Sequence, residues 1–523
     1  MATELMADPA LDHPTNVDGT AQAAFPNRID AERVDDTGKP LPQDIGFANY
    51  TPDTPEEKTL VRKMDMRLFP TLWIMYVLNY LDRTNIGNAQ IAGMATDLDL
   101  TGSRYNWALS IFFFGYLLNE VPSNMILART RPSIFLPGIM VAWGIISACT
   151  AAVQSYPGLL VIRFVLGLVE SGFFPGVLFL LSSWYKRTEI AKRMAVFYSG
   201  AIISGAFGGL LAGGITSSLN GVHGIAGWRY LFLIEGVATI GVSFIAVFIL
   251  PDFPTTTSWL TPEEKRLAVD RLIADGHDPR SGKHEGKKRL GFMPAIKDWR
   301  TWAFTLLYMM DVCAGTISYF FPTITKNIAG NATNAQYLTV PFYLVAALFS
   351  LSNSFHADHQ DERAFHIIAF LCVAFVGFVI SAATTNNGAL YFAQFLCATG
   401  IWSALPVILA WVSHTISSPP EKRAVSLAIV NAIANLSSVW GAQLFPSSDS
   451  PRFLKGFITN AAFCFVGILT ALSLRIALPR YVARHPEVTA EEIEEKREDA
   501  LRQMSGENKG ATEVEQVENA ERV

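Results

Sequence analysis

Two sets of charged residues lie inside long apolar stretches, where an isolated charge is costly. Asp82 and Arg83 are adjacent in one stretch, and Arg163 and Glu170 are seven residues apart in another. Seven residues make about two helical turns, so Arg163 and Glu170 fall roughly on one helix face. Guanidinium groups bind carboxylates through paired hydrogen bonds, and a buried carboxyl group nearby can exchange a proton. The four residues therefore predict a buried anion site with a proton-accepting group beside it.

Long apolar helices must position these charges. Half of the 523 residues are hydrophobic and only 17% are charged, whereas soluble proteins carry about a quarter charged residues. About twelve stretches are apolar on all sides and long enough to cross a hydrocarbon core of about 30 Å. They cover residues 68–88, 104–124, 133–153, 157–181, 194–216, 228–250, 299–321, 335–355, 364–384, 388–411, 424–446 and 456–478. The sequence therefore predicts an all-α polytopic membrane protein with twelve transmembrane helices.

The twelve predicted spans fall into two groups of six, separated by a stretch of soluble composition. We predict a disordered N-terminal tail over residues 1–55 and a six-helix bundle over 56–250. A linker with a short amphipathic helix then covers 251–298, a second six-helix bundle covers 299–480, and a C-terminal tail covers 481–523. Such a six-plus-six arrangement is typical of two bundles that rock around a site near the membrane midplane.

Lys and Arg are concentrated in alternate loops between the predicted spans. The positive-inside rule then places both termini and the central linker in the cytoplasm. The loop after the seventh span lies outside on this basis, and its sequon predicts glycosylation of Asn331. No cleavable signal peptide is visible, so we expect the first span to act as the signal, with the plasma membrane as the destination.

Several longer motifs resemble the major facilitator superfamily, and more narrowly the fungal allantoate, nicotinate and pantothenate permease branch of its anion:cation symporter family. The matching segments are YLDRTNIGNA (80–89), RFVLGLVESGFFPG (163–176), GWRYLFLIEG (227–236), YFFPTI (319–324) and KRAVSLAIVNAIANLSSVWGAQLFPSSDSPRFLKGF (422–457). The resemblance covers about residues 55–485. It implies the major facilitator fold, with two six-helix bundles and a cavity between them.

The resemblance also implies roles for single residues. Those associated with substrate binding are Tyr80, Arg83, Arg163, Asn431 and Asn435, and those associated with proton coupling are Asp82 and Glu170. Each has a structural alternative: the arginines can pair with the acids only to hold helices together, and the asparagines can join helices, as polar residues do in membrane bundles.

The sequence departs from the family pattern in two informative ways. The cytoplasmic Gly-x-x-x-Asp-Arg motif of the superfamily is degraded to Ser123–Arg131, with Ala128 in place of the aspartate, so gating contacts based on it are not expected. Asp311 in the seventh span has no counterpart in the pattern, and we consider it a plausible additional group of the cavity.

These observations predict a transporter that imports a small organic anion, such as nicotinate, pantothenate or allantoate, by proton symport and alternating access. The sequence shows no phosphate-binding Gly-x-x-x-x-Gly-Lys loop and no metal-ligand spacing, so we expect no cofactor, no catalytic or metal site and no enzyme activity. The expected partners are the anion, protons and lipid, without nucleic acid, and we expect a monomer. An exporter of an acidic secondary metabolite, a non-transporting nutrient receptor and a membrane-embedded enzyme are the alternatives.

Overall fold

The computed structural model describes residue 52 and residues 54–127, 130–274, 288–360, 362–416 and 420–484. The described helices belong to one compact unit, Tyr50–Val523. Both predicted tails lie largely outside the described residues, as does the basic part of the predicted linker.

Within the described residues the chain is all-helical, as predicted. Its α-helices are α1 (Pro55–Ala89), α2 (Ala95–Asp97), α3 (Arg104–Leu127), α4 (Pro132–Thr150), α5 (Tyr156–Glu170), α6 (Phe173–Ser182), α7 (Arg187–Leu219), α8 (Gly227–Ile249), α9 (Pro262–Ala274), α10 (Lys288–Lys297), α11 (Trp299–Gly315), α12 (Phe321–Ala329), α13 (Ala332–Gln360), α14 (Ala364–Ala383), α15 (Asn387–Thr415), α16 (Pro420–Gly441) and α17 (Leu454–Arg484). A π-helical turn, Gln90–Met94, follows α1, and a 3₁₀ turn, Thr316–Tyr319, joins α11 to α12.

The predicted spans coincide in order and position with these helices. In the described parts of the chain, eight helical spans are long and apolar enough to cross a membrane, and the bent pair Trp299–Tyr319 and Phe321–Ala329 makes a ninth. The remaining three predicted spans correspond to α1, α3 and α16, and the apolar stretch of α16, Val425–Gly441, is shorter than the other spans. The prediction of an all-α polytopic fold is confirmed.

The helices pack in two groups, which we call the first half (α1–α8) and the second half (α11–α17). In the first half, α1 packs against α7 and α8, α4 against α8, and α3 against α5. In the second half, α14 packs against α15 and α17, and α11 against α16 and α17. The halves meet mainly where α7 packs against α13 and α3 against α16.

Helix α9 of the linker docks beside the start of α1. Lys63 Nζ lies 2.7 Å from Glu264 Oε2, and the hydrogen bond from Lys63 holds the pKa of Glu264 below its ordinary value. This contact therefore stabilises the folded protein at neutral pH. The stabilisation is lost as the pH falls through the lowered pKa of Glu264. Arg271 of α9 is fully buried and pairs with Glu57 and Glu189. We call this end of the bundle the linker side, and the opposite end, where α1 terminates, the far side.

Helix α5, which carries Arg163 and Glu170, crosses α3 at a contact that glycine makes possible. A Cβ at Gly167, midway between the two charged residues, would collide with the carbonyl oxygen of Phe112. Small residues at helix crossings let membrane helices approach closely. Gly167 thus sets how near the charged face of α5 comes to its neighbours.

Replacing Gly167 with valine is expected to destabilise the protein, because the carbonyl of Phe112 is backbone and cannot move independently of its helix. Overpacking of this kind costs on the order of 1–3 kcal/mol. The midpoint of thermal unfolding in detergent measures the effect. Gly241→Val on α8 is the matched control, since nothing lies within 4 Å of a Cβ at that position; equal midpoints for the two variants would contradict this explanation.

Candidate functional site

A cavity lies between the two halves and contains about 910 Å³ of empty space, counting its open mouth. Helices α1, α3, α5, α6 and α7 form its first-half wall, and α11, α15 and α16 form its second-half wall together with the 3₁₀ turn. Five of the seven residues predicted for substrate binding and proton coupling line it: Tyr80, Arg83, Glu170, Asn431 and Asn435. Asp82 and Arg163 are not among the lining residues.

The central feature of the cavity is an ion pair between α1 and α5. Arg83 Nε donates a hydrogen bond of 2.7 Å to Glu170 Oε1, and Arg83 Nη2 lies 2.5 Å from the same oxygen. Both side chains are buried, and Glu170 Oε2 has no hydrogen-bond partner within the described residues. The pair therefore joins two helices and leaves one carboxylate oxygen unused.

Aromatic rings surround the Arg83 guanidinium. Its central carbon lies 4.9 Å from the ring centre of Tyr80 and 5.1 Å from that of Tyr116. The Tyr80 ring in turn lies 6.3 Å from the Trp402 ring, across the boundary between the halves. Rings at these distances attract a cation through their electron-rich faces. They also keep water away from the charge, which strengthens its interaction with an anion.

Arg163 is buried beside the cavity rather than on its wall. Its Nη2 donates a hydrogen bond of 3.4 Å to the backbone oxygen of Arg83, and its guanidinium lies 5.0 Å from the Phe112 ring centre. Nε and Nη1 have no hydrogen-bond partner among the described residues. In this conformation Arg163 contacts the segment of α1 that carries Arg83, and the structure does not bring it to the cavity with Glu170.

Asp82 faces the interior of the first half. Its Oδ1 accepts a hydrogen bond of 2.7 Å from Ser147 Oγ on α4, and its Oδ2 accepts one of 2.8 Å from Thr239 Oγ1 on α8. Adjacent side chains on a helix diverge by about 100°. Asp82 and Arg83 therefore point to different surroundings, and the carboxylate of Asp82 is held by hydroxyl groups outside the cavity.

The second-half wall carries the predicted asparagines and one further acid. Asn431 and Asn435 lie one turn apart on α16 and both face the cavity, as their spacing predicts. Asp311 of α11 also lines the cavity; its side chain is buried, and neither carboxylate oxygen has a hydrogen-bond partner in the described chain. The sequence singled out Asp311 as a plausible cavity group, and its position agrees.

Glu235 was not singled out from the sequence. It is buried on α8, one turn before Thr239, and both of its carboxylate oxygens lack hydrogen-bond partners within the described residues. A carboxyl group in the middle of the predicted span 228–250 is the signal that would have identified it. Among the described residues, no group of three His, Cys, Asp or Glu side chains is arranged to hold a metal ion.

Hydrogen bonds join the two halves at the far side. Asn106 Nδ2 donates to the backbone oxygen of Ala442 at 2.7 Å, and the Tyr105 hydroxyl donates to the backbone oxygen of Tyr319 at 3.0 Å. Tyr319 also lines the cavity. The far end of the cavity is thus closed by direct contacts between the halves.

Asn331 is exposed on the far side, at the start of α13. Its Oδ1 accepts a hydrogen bond of 2.7 Å from the backbone nitrogen of Asn334. The side chain is therefore accessible and caps the helix, and glycosylation at this position stays a prediction.

Comparison with known proteins adds three findings. The family model for the Major Facilitator Superfamily matches residues 72–442. The chain is 35% identical over 437 residues to the MFS-type transporter cnsO of Penicillium expansum, covering 81% of this chain and 83% of the relative. It is 31% identical over 451 residues to the major facilitator-type transporter hxnP of Emericella nidulans, covering 84% and 89%.

Among solved structures, the chain resembles a bacterial homologue of the human lysosomal transporter Spinster in an inward-facing, unoccupied conformation. The TM-score is 0.59 with 15% sequence identity, and the match covers 80% of this chain and 98% of the bacterial one. A similarity of this kind shows a common arrangement of helices.

Proposed function

Because the chain belongs to the major facilitator superfamily and is a multi-pass membrane transporter, we propose that it imports a small organic anion by proton symport. From the resemblance of the motifs around Arg83 and Arg163, we further propose that it belongs to the anion:cation symporter family, in the fungal branch of allantoate, nicotinate and pantothenate permeases. The observation that carries this proposal is the buried Arg83–Glu170 ion pair on the wall of a cavity between the two halves.

In the proposed mechanism, a proton and the substrate together replace this ion pair: the proton binds Glu170 and the substrate binds Arg83. A proton that binds Glu170 removes its negative charge and weakens its hold on the Arg83 guanidinium. Arg83 stays positively charged, since a guanidinium does not lose its proton in proteins. The freed guanidinium then binds the substrate carboxylate through paired hydrogen bonds. Release reverses these steps: the proton leaves Glu170, the carboxylate pairs with Arg83 again, and the substrate is displaced.

The other predicted residues support this exchange. Tyr80 contributes its ring to the wall beside Arg83, and Asn431 and Asn435 offer amide hydrogen bonds from the opposite wall. Arg163 holds the backbone of Arg83 and adds positive charge near the bound anion. Asp82 is the second candidate for the proton, because its protonation would weaken its bonds to α4 and α8 and so free α1 to move.

The side of the cavity that is closed indicates which way this conformation faces in an alternating-access cycle. The far side is sealed by contacts between the halves, and the positive-inside rule assigns the linker side to the cytoplasm. We therefore propose that this conformation faces inward and that the far side opens to the exterior. We further propose that the protein resides in the plasma membrane as a monomer with both termini in the cytoplasm.

Closure of the far side depends on close contact between α7 and α13. A Cβ at Gly209 would lie 2.6 Å from the backbone oxygen of Gln336 and from Thr339 Oγ1. Gly209→Val is expected to reduce uptake at least about tenfold, because the far side cannot close around the substrate, while binding to purified protein persists. Uptake into proteoliposomes measures this effect.

Gly214→Val provides the matched control on the same helix, since nothing lies within 4 Å of a Cβ there. It should transport like the wild type. Undiminished uptake by Gly209→Val would show that this contact does not form during transport.

The proposed function is tested by uptake of radiolabelled nicotinate, pantothenate and allantoate into proteoliposomes, with and without an inward proton gradient. Accumulation of at least one acid that depends on the gradient is the expected result. Binding without accumulation under any gradient would favour a receptor, and net movement opposite to the proton gradient would favour an exporter.

A further inference from the structure

Asp311 is a carboxyl group of the cavity wall that the proposed mechanism does not use. It is only 1% exposed, and neither carboxylate oxygen accepts a hydrogen bond in the part of the chain that the structure describes. Tyr308 and Gly315, three residues before and four residues after Asp311, also line the cavity, as expected for residues on one face of α11. Asp311 therefore belongs to the second-half wall, whereas Arg83 belongs to the first-half wall.

The other acids near the cavity have partners that Asp311 lacks. Glu170 pairs with the Arg83 guanidinium, and Asp82 accepts hydrogen bonds from two hydroxyl groups. Buried polar groups in proteins are nearly always hydrogen-bonded. A buried acceptor without a donor carries a free-energy penalty, which a ligand that supplies the donor removes.

We propose that Asp311 is a second substrate-binding group, opposite Arg83, and accepts a hydrogen bond from an N–H or O–H group of the substrate. This inference rests on the proposed function, in which Arg83 binds the carboxylate of the same molecule. The substrate is then a carboxylic acid whose other end carries a hydrogen-bond donor. Pantothenate, with its hydroxyl and amide groups, and allantoate, with its urea groups, meet this requirement, and nicotinate does not.

Such an arrangement would make the transporter bind anions and also select those that carry a hydrogen-bond donor. A site built to hydrogen-bond a substrate O–H or N–H rejects the analogue that lacks it, because the buried partner is left unpaired; well-formed sites discriminate by about 10⁴–10⁵. The aromatic part of the wall, including Tyr80 and Trp402, contributes no comparable selectivity, since it contacts any apolar body of suitable shape. We therefore attribute to Asp311 the selectivity for acids that carry a hydrogen-bond donor, beside whatever Asn431 and Asn435 contribute from the same wall.

The test measures affinities of the purified full-length protein for two pairs of benzoates. The first pair is 4-hydroxybenzoate and 4-methoxybenzoate, which differ in a neutral O–H donor. The second is 4-(aminomethyl)benzoate and 4-methylbenzoate, which differ in a charged N–H donor. We expect the wild type to bind the donor-bearing acid of at least one pair about tenfold or more tightly, and Asp311→Ala to bind both members of that pair equally.

Asp311→Asn identifies which donor is recognised. Its carboxamide oxygen still accepts a hydrogen bond but carries no charge, so preference for the hydroxyl should persist, whereas preference for the ammonium should be lost. Glu235→Gln is the matched control, because Glu235 is equally buried and also lacks partners in the described residues but does not line the cavity. It should keep the preference of the wild type.

Two results would overturn the inference: equal binding within both pairs by the wild type, or a preference that survives in Asp311→Ala. Failure of the proposed function has a different signature. If acids bind without preference but Arg83→Gln abolishes their binding, only the role of Asp311 is wrong. If no carboxylic acid binds, or Arg83→Gln leaves binding intact, the anion site itself is wrong.

Discussion

Replacing Arg83 with glutamine is expected to abolish carboxylate binding, with an affinity loss on the order of 100-fold or more. Hydrogen bonds to charged groups contribute about 1.5–3 kcal/mol each, and the guanidinium can offer two to one carboxylate. Glutamine keeps a single donor nitrogen, so it cannot form the paired bonds from two nitrogens, and it loses the charge. Calorimetric titration of the purified variant with the best-binding acid measures the loss, and proton-driven uptake should disappear with it.

Two other arginine variants define what is specific to Arg83. Arg104→Gln removes an exposed ion pair with Asp99 near the far side, and it should bind substrate normally because exposed pairs contribute little. Arg163→Gln should weaken binding less than Arg83→Gln, since Arg163 acts through the backbone of Arg83 and does not line the cavity. If the Arg83→Gln variant accumulated substrate to the level of the wild type, Arg83 would not be the anion site of the proposed mechanism.

Replacing Glu170 with glutamine is expected to uncouple transport from protons while substrate binding persists. Glutamine has nearly the same shape but cannot take up a proton, and it no longer competes for the Arg83 guanidinium as a charged partner. With one proton per anion, a gradient of one pH unit supports accumulation of about tenfold at most, since one unit corresponds to about 1.36 kcal/mol. The variant should accumulate no substrate under this gradient, yet exchange labelled for unlabelled substrate across the membrane.

The control for this prediction is Glu264→Gln. Glu264 belongs to an ion pair on the linker side and does not line the cavity, so coupling should be retained. Gradient-dependent accumulation by Glu170→Gln equal to that of the wild type would assign the proton to another group, of which Asp82 is the next candidate.

The helices could be predicted from the sequence because each span is predominantly apolar over about twenty residues, and the family could be predicted from the motifs within and between these spans. The polar residues of the site could also be found, since charges and amides within such spans are rare and usually functional. Tyr80, Arg83, Glu170, Asn431 and Asn435 all line one cavity, although they come from three helices that are far apart in the sequence.

The directions of single side chains could not be predicted in the same way. Asp82 and Arg83 are neighbours in the sequence, but only the packing of α1 against α4 and α8 shows which of them faces the cavity. Arg163 and Glu170 share a face of α5, yet two turns separate them by about 10 Å along the helix axis. Only Glu170 therefore reaches the cavity, and Arg163 lies beside the backbone of Arg83.

The most direct test of the central claim is the number of protons taken up when substrate binds. Purified protein in weakly buffered detergent solution is titrated with the acid anion while a pH indicator records proton uptake. If Glu170 releases Arg83 to the substrate by accepting a proton, the protein should take up about one proton for each anion bound near neutral pH. The Glu170→Gln variant should still bind the anion but should take up few or no protons. Tight binding to the wild type with no proton uptake at any pH between about 5 and 8 would contradict the exchange of Glu170 for substrate at Arg83.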